Sequence, residues 1–233
     1  MALTRTHYII GAVSLVLLLS LGYGVFLLVG PSAKYRGLTT YVQVDMDPAT
    51  RAYVENQLRT AQAALAADQA DGGEVNLNRY DAVGNYALVL GDLITSREAY
   101  EAELKGNPLN YAATNSYGNV LAKMGDYSGA RKAFEHAIEL SAGQGPESFY
   151  INLVELLEVH FPADQDSVKK LLEVYVAKRG QTSWNMVQLG RWYQNAGDCQ
   201  RAIDHFSVAK TLSPKNQSIA DELQALKTTC IVK

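Results

Sequence analysis

The sequence predicts an all-helical protein built from repeated helix pairs, with one apolar segment near its N-terminus. Small and aromatic residues recur at a fixed step, because Gly84 and Gly118 lie 34 residues apart and so do Tyr100 and Phe134. The same order of residue types returns later as Gly190, Gly197 and Phe206. A 34-residue period with small residues early and an aromatic residue late is typical of a solenoid of helix–turn–helix units. Such folds bind other proteins more often than they catalyse reactions.

The apolar segment from Tyr8 to Val29 contains no charged residue and is as long as a membrane-spanning helix. A helix of this length rises about 30 Å, which matches the hydrocarbon thickness of a bilayer. A cleaved secretory signal has a shorter apolar region and a small-x-small cleavage site. The best candidate site, before Lys34, has Pro31 where a small residue is required. We therefore expect an uncleaved membrane anchor, with a cleaved signal or a buried helix as the alternatives.

The remainder of the chain is acidic and carries no basic patch. Arg5, Lys34 and Arg36 are the only charged residues before Gly37, so the rest holds all 24 acidic residues and 18 of the 21 basic ones. Nucleic-acid binding needs clustered positive charge. We expect a protein partner and no nucleic acid.

The segment before the repeats divides into a linker and a helix. Residues 37–47 are polar and β-branched without helical periodicity, which predicts a linker. Asp47 followed by Pro48 is typical of an N-cap and a first helical turn. The apolar spacing continues to about Ala67, which predicts a capping helix or a degenerate half-repeat.

Four helix pairs follow, and the third lacks the small residues of the others. A small residue in the first helix lets the second helix approach closely, and Gly before Asp permits a sharp reversal of the chain. In the third unit Leu156 and Ala163 replace the glycines, which predicts wider helix spacing. The predicted division is 1–36 anchor and flanks, 37–47 linker, 48–76 capping helix or half-repeat, 77–110, 111–144, 149–182 and 183–216 repeats, and 217–233 C-terminal capping helix.

These residues resemble the tetratricopeptide repeat family, from Leu77 to about Thr229. The resemblance is carried by the Gly-Asp turns, the late aromatic residues and the closing prolines, Pro108 and Pro214. It implies a right-handed α-solenoid of antiparallel helix pairs. It also implies a concave face, lined by the first helix of each pair, that binds peptides or partner helices. Nothing in the family implies catalysis.

The concave positions of that family suggest a binding groove with a polar half and an apolar half. Family members that clamp a C-terminal carboxylate use Lys and Asn at these positions, but Asp81 stands where Lys is wanted, so we do not expect that clamp. A mixed groove would suit an amphipathic segment; the alternative is that these residues only pack or contact solvent. The predicted partner-binding residues are Asn85, Asn115, Asn119, Tyr150, Leu153, Leu157, Trp184 and Arg191.

The two cysteines are candidates for a disulfide. Cys199 begins the second helix of the last pair and Cys230 ends the capping helix, and these ends are adjacent in an antiparallel stack. The alternative is two small apolar residues in a cytosolic core. A disulfide would require an oxidising compartment. This inference conflicts with the positive-inside rule, because the basic residues beside the anchor weakly favour a cytoplasmic location for the chain that follows it. We expect the repeats on the periplasmic side of an inner membrane.

No pattern in the chain predicts catalysis. The sequence has no P-loop, no dinucleotide fingerprint and no G-x-S-x-G, and its four histidines lack metal-ligand spacing. We expect no catalytic residue, metal or cofactor. The predicted function is a membrane-tethered scaffold or adaptor. The first alternative is an assembly factor that presents apocytochrome during cytochrome c maturation, because the membrane-anchored repeat subunits of those systems have a similar architecture. The second alternative is a structural subunit of a larger membrane or envelope complex.

Overall fold

Helices account for most of the described chain. The computed structural model describes residues 34–72 and 74–231. Within these ranges there is no β-strand, and Tyr41 and Asp92 form an isolated antiparallel bridge. The helices are α1 (Pro48–Ala70), α2 (Asn78–Leu90), α3 (Leu93–Gly106), α4 (Tyr111–Met124), α5 (Tyr127–Leu140), α6 (Glu147–His160), α7 (Gln165–Arg179), α8 (Ser183–Asn195), α9 (Cys199–Leu212) and α10 (Gln217–Ile231).

The predicted membrane anchor at residues 8–29 lies outside the described residues. Of the helices in the two described ranges, none combines the length and the apolar character that a membrane crossing requires. The all-helical class is therefore confirmed for the described part of the chain, and the anchor stays a prediction.

The helices form four consecutive pairs with one flanking helix at each end. The pairs are α2 with α3, α4 with α5, α6 with α7, and α8 with α9, while α1 packs on α2 and α10 packs on α9. The first helices of neighbouring pairs also touch, since α2 contacts α4 and α4 contacts α6. Each pair therefore contacts mainly its neighbours, which is the packing of a repeat solenoid.

In the first, second and fourth pairs, an aromatic side chain of the second helix packs against a glycine of the first helix. Phe134 on α5 is 1% exposed and lies against Gly118 on α4, where an added Cβ would stand 2.6 Å from the ring. Tyr100 faces Gly84 and Phe206 faces Gly190 in the same way. The predicted close approach of the two helices is confirmed in the pairs that carry these glycines.

The tight reversals between the paired helices use the predicted Gly-Asp sequence. Gly91 and Gly125 end α2 and α4 in the left-handed region, at φ of 82° and 88°. Asp92 and Asp126 then cap α3 and α5 by accepting a hydrogen bond from a backbone N–H three residues on. Each turn thus satisfies the free backbone groups of two helix ends.

The third pair has a different register from the predicted one. α6 begins at Glu147, two residues before the predicted start at Phe149, and the turn to α7 covers four residues, 161–164. The corresponding turn between α4 and α5 covers two residues. The predicted repeats 111–144 and 149–182 leave four extra residues, 145–148, between them. In the structure these four extra positions are divided between the two ends of α6. As a result, Ile151 and Glu155 occupy the positions that Asn115 and Asn119 occupy on α4.

Large side chains fill the space between α6 and α7. Tyr150 is fully buried and packs edge-to-face on Tyr175 of α7, with 4.8 Å between the ring centroids. Leu153 and Leu157 are each 2% exposed. The backbones of this pair approach each other closely at fewer positions than those of the pairs with glycine, which agrees with the wider spacing that the missing glycines predict.

Residues 34–44, which we call the docking segment, form no long helix but are packed onto the first two helix pairs. Tyr35 is 2% exposed and its hydroxyl donates to Glu98, 2.9 Å away. Three backbone hydrogen bonds join the segment to the repeats. They are donated by Thr39 N to Met124 O (2.8 Å), by Val42 N to Gly91 O (3.0 Å) and by Leu93 N to Thr40 O (3.2 Å). The predicted linker is therefore nonhelical, as expected, but most of it is held against the repeats.

The C-terminal helix covers the last pair. Ile219, Leu223 and Leu226 are buried against α9, which confirms the predicted apolar face. A disulfide joins Cys199 to Cys230, with 5.8 Å between the Cα atoms. It closes a loop across 31 positions of sequence.

A buried carboxyl group on α3 predicts an unusual pH dependence of stability. Glu103 is 2% exposed; its Oε1 accepts from Asn110 Nδ2 at 2.8 Å, and its Oε2 has no partner among the described residues. Burial, and secondarily the charge of Asp81, raise the pKa of Glu103 to about 7. In the unfolded chain this pKa is about 4.3. The folded state therefore holds more protons between these values, and stability falls as pH rises through this range.

We expect Glu103→Gln to remove this part of the pH dependence. The wild type should lose stability relative to the variant between pH 5 and pH 8, because only the wild type must bury a charge at pH 8. Urea unfolding at both pH values measures the difference. Glu55→Gln on the exposed surface of α1 is the matched control. A difference between wild type and Glu103→Gln that does not change with pH would contradict the prediction.

Candidate functional site

Asparagine side chains lie along the surface formed by the first helices. We call this surface of α2, α4, α6 and α8 the first-helix face. Asn85 is exposed and accepts a hydrogen bond from the Tyr100 hydroxyl at 2.8 Å. Asn115 was predicted to bind a partner, but it is buried at 7% exposure and accepts from Asn152 Nδ2 at 3.3 Å, so it helps to pack α4 against α6 instead. These two contacts tie neighbouring helices together through amides that retain further donors and acceptors.

A cleft of about 290 Å³ lies between α4 and α6 on this face. Asn119, Asn152 and Glu155 line it, together with Lys123 and His160. Asn119 is half-buried and Glu155 is exposed, so the polar ends of both can reach a bound group. The cleft therefore offers amide donors and acceptors beside one carboxylate and the ammonium group of Lys123, which is a composition suited to the backbone of an extended segment.

The first-helix face carries more negative than positive charge at the third pair. Glu155 and Glu158 are exposed on α6, and neither forms an ion pair within the described residues. Partial burial raises the pKa of Glu158, with a smaller contribution from Glu155, while Arg191 opposes the rise. These two carboxylates would therefore attract a positively charged group of a partner that came between them.

Arg191 forms an ion pair with the C-terminal helix α10. Its guanidinium donates to both carboxylate oxygens of Glu222 on α10, at 2.9–3.1 Å. The Arg191 side chain is 47% exposed. A partner carboxylate would therefore have to compete with Glu222 for Arg191, which was predicted as a partner-binding residue.

The predicted apolar half of the groove is wrong in its residues. Tyr150, Leu153 and Leu157 face the core and cannot contact a partner. The physical reason is the split insertion, which rotates α6 relative to the expected register. Ile151 and Glu155 take the places assigned to Leu153 and Leu157, so this part of the face is more polar than expected.

The two tryptophans are half-buried and belong mainly to the packing between helices. Trp184 lies edge-to-face with Tyr175, with 5.7 Å between ring centroids. Trp192 donates from its indole nitrogen to the Gln165 carbonyl oxygen at 2.8 Å, and Lys169 stands 5.0 Å from its ring. Trp184, a predicted partner-binding residue, is therefore only partly accessible to a partner.

Two of the histidines stack on tyrosine rings. His160 stacks on Tyr127 with 3.4 Å between ring centroids, and His205 stacks on Tyr193 at 5.2 Å. Burial lowers the pKa of His205. Within residues 34–72 and 74–231, no cluster of three His, Cys, Asp or Glu side chains is arranged to hold a metal ion.

Sequence reasoning missed three residues of the face, namely Asn152, Glu155 and Glu158. They recur at a spacing of three along α6, which places them on one side of the helix. Pro146 was the signal that could have identified this side, because proline favours the beginning of a helix and α6 begins directly after it.

Comparisons with known proteins find solved structures with a similar fold but no match by sequence. No protein-family model matches the chain, and no curated protein matches it in sequence. The crystal structure of MamA is similar, with 16% identity, a TM-score of 0.60, and coverage of 75% of this chain and 99% of that one. YrrB, described as a tetratricopeptide repeat protein with an unusual peptide-binding site, has 15% identity and a TM-score of 0.56 over 76% of this chain and 86% of its own.

PilF of Pseudomonas aeruginosa is similar to the same degree. It has 17% identity and a TM-score of 0.54, over 75% of this chain and 76% of its own. At such identities the likeness is one of backbone arrangement, and it agrees with the 34-residue units and the glycine–aromatic contacts described above. The chain thus has the tetratricopeptide repeat fold.

Proposed function

We propose that this chain is a non-enzymatic scaffold that binds an extended segment of a partner protein on its first-helix face. The observation that carries the proposal is the row of solvent-accessible amides, Asn85, Asn119 and Asn152, across three first helices. Amide side chains can pair with the N–H and C=O groups of any extended backbone, whatever its sequence. The peptide-binding site named for YrrB, which has a similar backbone, supports this use of the fold.

The partner segment is proposed to carry Lys or Arg near its centre. Glu155 and Glu158 extend the asparagine row on α6, and Glu158 is partly desolvated. Pairing with a cation would stabilise its ionised form. An acidic segment would meet two carboxylates of like charge, so the same residues would select against it.

The scaffold is proposed to be tethered by residues 8–29 to an inner membrane, with its repeats on the periplasmic side. The length of the uncharged run supports the anchor, and the Cys199–Cys230 disulfide supports an oxidising compartment. The proposal keeps residues 1–36 as the anchor with its flanks and residues 37–47 as the connection to the repeats. Thiols that react in permeabilised cells without reductant would instead place the repeats in the cytoplasm.

A displayed library of random 12-residue peptides would test the binding proposal. Selection on the purified chain should yield basic peptides whose affinity falls about 3- to 10-fold in Asn119→Ala and in Asn152→Ala, because each loses a hydrogen bond worth about 0.5–1.5 kcal/mol. Glu155→Gln should weaken binding by a comparable factor that shrinks at high salt. Titration calorimetry measures these affinities.

The matched control is Asn56→Ala, which removes an exposed amide from α1 at a distance from the face. It should leave the affinity unchanged. Selected peptides that bind all four variants equally well would show that the first-helix face is not the binding surface.

A further inference from the structure

The second helices α3, α5 and α7 carry the same ion pair at the same place. A basic residue is the fifth residue of each helix and a glutamate is the ninth, so the two lie one turn apart on the helix surface. The pairs are Arg97–Glu101, Arg131–Glu135 and Lys169–Glu173. In α9, which α10 covers, the same two positions are Ile203 and Ser207. The repeated pair therefore belongs to the second helices that have a further helix pair after them.

An aromatic ring lies beside the basic residue in all three places. The distances from the cation to the ring centroid are 5.3 Å for Arg97 and Tyr35, 5.4 Å for Arg131 and Phe161, and 5.0 Å for Lys169 and Trp192. Phe161 directly follows α6 and Trp192 is the tenth residue of α8, so these two rings come from the next helix pair. In α4 the same two places hold Gly125 and Val120. At α3 the ring is therefore supplied by Tyr35 of the docking segment instead.

Two carboxylates of α3 bind the first two residues of the docking segment. We call the surface of α3 and of the end of α4 that contacts residues 34–44 the docking groove. Lys34 Nζ donates to the Glu101 carboxylate at 2.8 Å, and the Tyr35 hydroxyl donates to Glu98 at 2.9 Å. The Tyr35 ring itself is 2% exposed. The docking groove thus combines a buried place for a tyrosine ring with acceptors for its hydroxyl and for the preceding cation.

The backbone of the docking segment pairs with the turn after α2 like an added strand. Val42 N donates to Gly91 O at 3.0 Å, and Leu93 N donates to Thr40 O at 3.2 Å. A Cβ added to Gly91 would overlap the Val42 carbonyl oxygen, so this approach requires glycine. Main-chain pairing combined with a pocket for one side chain is a common way of binding an extended peptide.

Few groups hold the docking segment in the docking groove. Among residues 34–44, Tyr35 alone is buried, and the others are half-buried or exposed. Segments with few buried apolar contacts open locally at a lower free energy than the whole fold. The docking groove can therefore open while the helix pairs stay folded.

From these contacts we propose that the docking groove is a second binding site, for an extended partner segment in which Lys or Arg precedes Tyr. Residues 34–44 occupy it as an intramolecular competitor. A bound partner would place its tyrosine beside Arg97 and Glu98 and its cation on Glu101. This site uses none of the side chains proposed to bind on the first-helix face, so it stands independently of that proposal. A partner binds only the fraction of molecules in which the docking groove is open.

A labelled peptide with the sequence of residues 34–44, titrated into the purified full chain, tests the proposal by fluorescence anisotropy. The Tyr35→Ala chain should bind it about tenfold or more tightly than the wild type, because its own segment competes less. Thr39→Pro removes the bond to Met124 and should also tighten binding, with Tyr35 intact. Tyr53→Ala, which removes an exposed tyrosine from α1, should bind the peptide like the wild type. Circular dichroism checks that each variant keeps its helices.

Two glycine variants locate the peptide on the protein. In the Tyr35→Ala background, Gly91→Ala should weaken binding by about tenfold or more, because its Cβ blocks the approaching backbone. Gly125→Ala is the matched control, since Gly125 has nearly the same φ but a Cβ there would meet nothing within 4 Å. It should leave the affinity unchanged.

Two results would overturn the proposal. One is a peptide that binds the folded Tyr35→Ala and Thr39→Pro chains no better than the wild type. The other is a peptide that binds equally well with and without Gly91→Ala, because it would then lie elsewhere. A peptide in which alanine replaces the first tyrosine should bind at least about tenfold more weakly, and equal affinity would contradict the proposed role of the ring.

Discussion

Replacing both Cys199 and Cys230 with serine is expected to lower the free energy of unfolding by about 3–4 kcal/mol. The disulfide closes a loop across 31 positions of sequence, and the chain-entropy model assigns roughly this stabilisation to a loop of that length. The loss should be concentrated at the C-terminal end, because each unit of a solenoid contacts only its neighbours. Hydrogen exchange should therefore show early opening of α10 and α9, while α2 keeps its protection.

Reduction of the wild type provides the control for this prediction. A reductant should shift the unfolding transition of the wild type to that of the double variant, and it should not shift the double variant further. Equal stability of the oxidised wild type and the double variant would contradict the prediction. Uniform destabilisation of α2 and α10 would contradict its local character.

The periodic part of the fold could be predicted because its contacts repeat along the chain. The spacing between Gly118 and Phe134 alone predicts a closely packed helix pair, and the same spacing recurs in two other pairs. The Gly-Asp turns carry their own signal, since the glycine meets a left-handed backbone requirement and the aspartate caps the next helix. Local chemistry is sufficient at these positions.

The register of α6 and the docking segment could not be predicted in the same way. An insertion has no periodic position, so nothing in the spacing showed that its four residues divide between the two ends of α6. This error moved Leu153 and Leu157 from the core to the predicted groove. The docking segment depends on contacts between residues such as Tyr35 and Glu98, which are 63 positions apart in the chain. Such pairs leave no local pattern.

The candidate site was predicted where the repeats are regular and missed where they are not. Asn119 lies on the first-helix face, at a cleft between α4 and α6. Asn152 and Glu155 lie in the same cleft but belong to the irregular third pair. The prediction of the site was therefore limited by the placement of one helix rather than by the choice of residue types.

Phe134→Ala is expected to be among the most destabilising single substitutions in the repeats, at about 3–5 kcal/mol. The ring is 1% exposed and lies between Gly118 and the core of the second and third pairs, so its removal leaves a cavity in the middle of the solenoid. Denaturant unfolding measures the loss. Tyr53→Ala is the control, because Tyr53 is 63% exposed on α1 and its loss should change stability by no more than about 0.5 kcal/mol.

Because Phe134 contacts Gly118, we expect the effect of Gly118→Ala on stability to change sign when the Phe134 ring is removed. In the wild type, Gly118→Ala places a Cβ 2.6 Å from the Phe134 ring and should cost about 1–3 kcal/mol through overpacking. In the Phe134→Ala background the ring is gone, and the same change should stabilise α4 by up to about 1 kcal/mol, because alanine is the better helix former. A double-mutant cycle measures this reversal. Additive effects of the two substitutions would show that the glycine is not required by the ring, and that another contact sets the distance between α4 and α5.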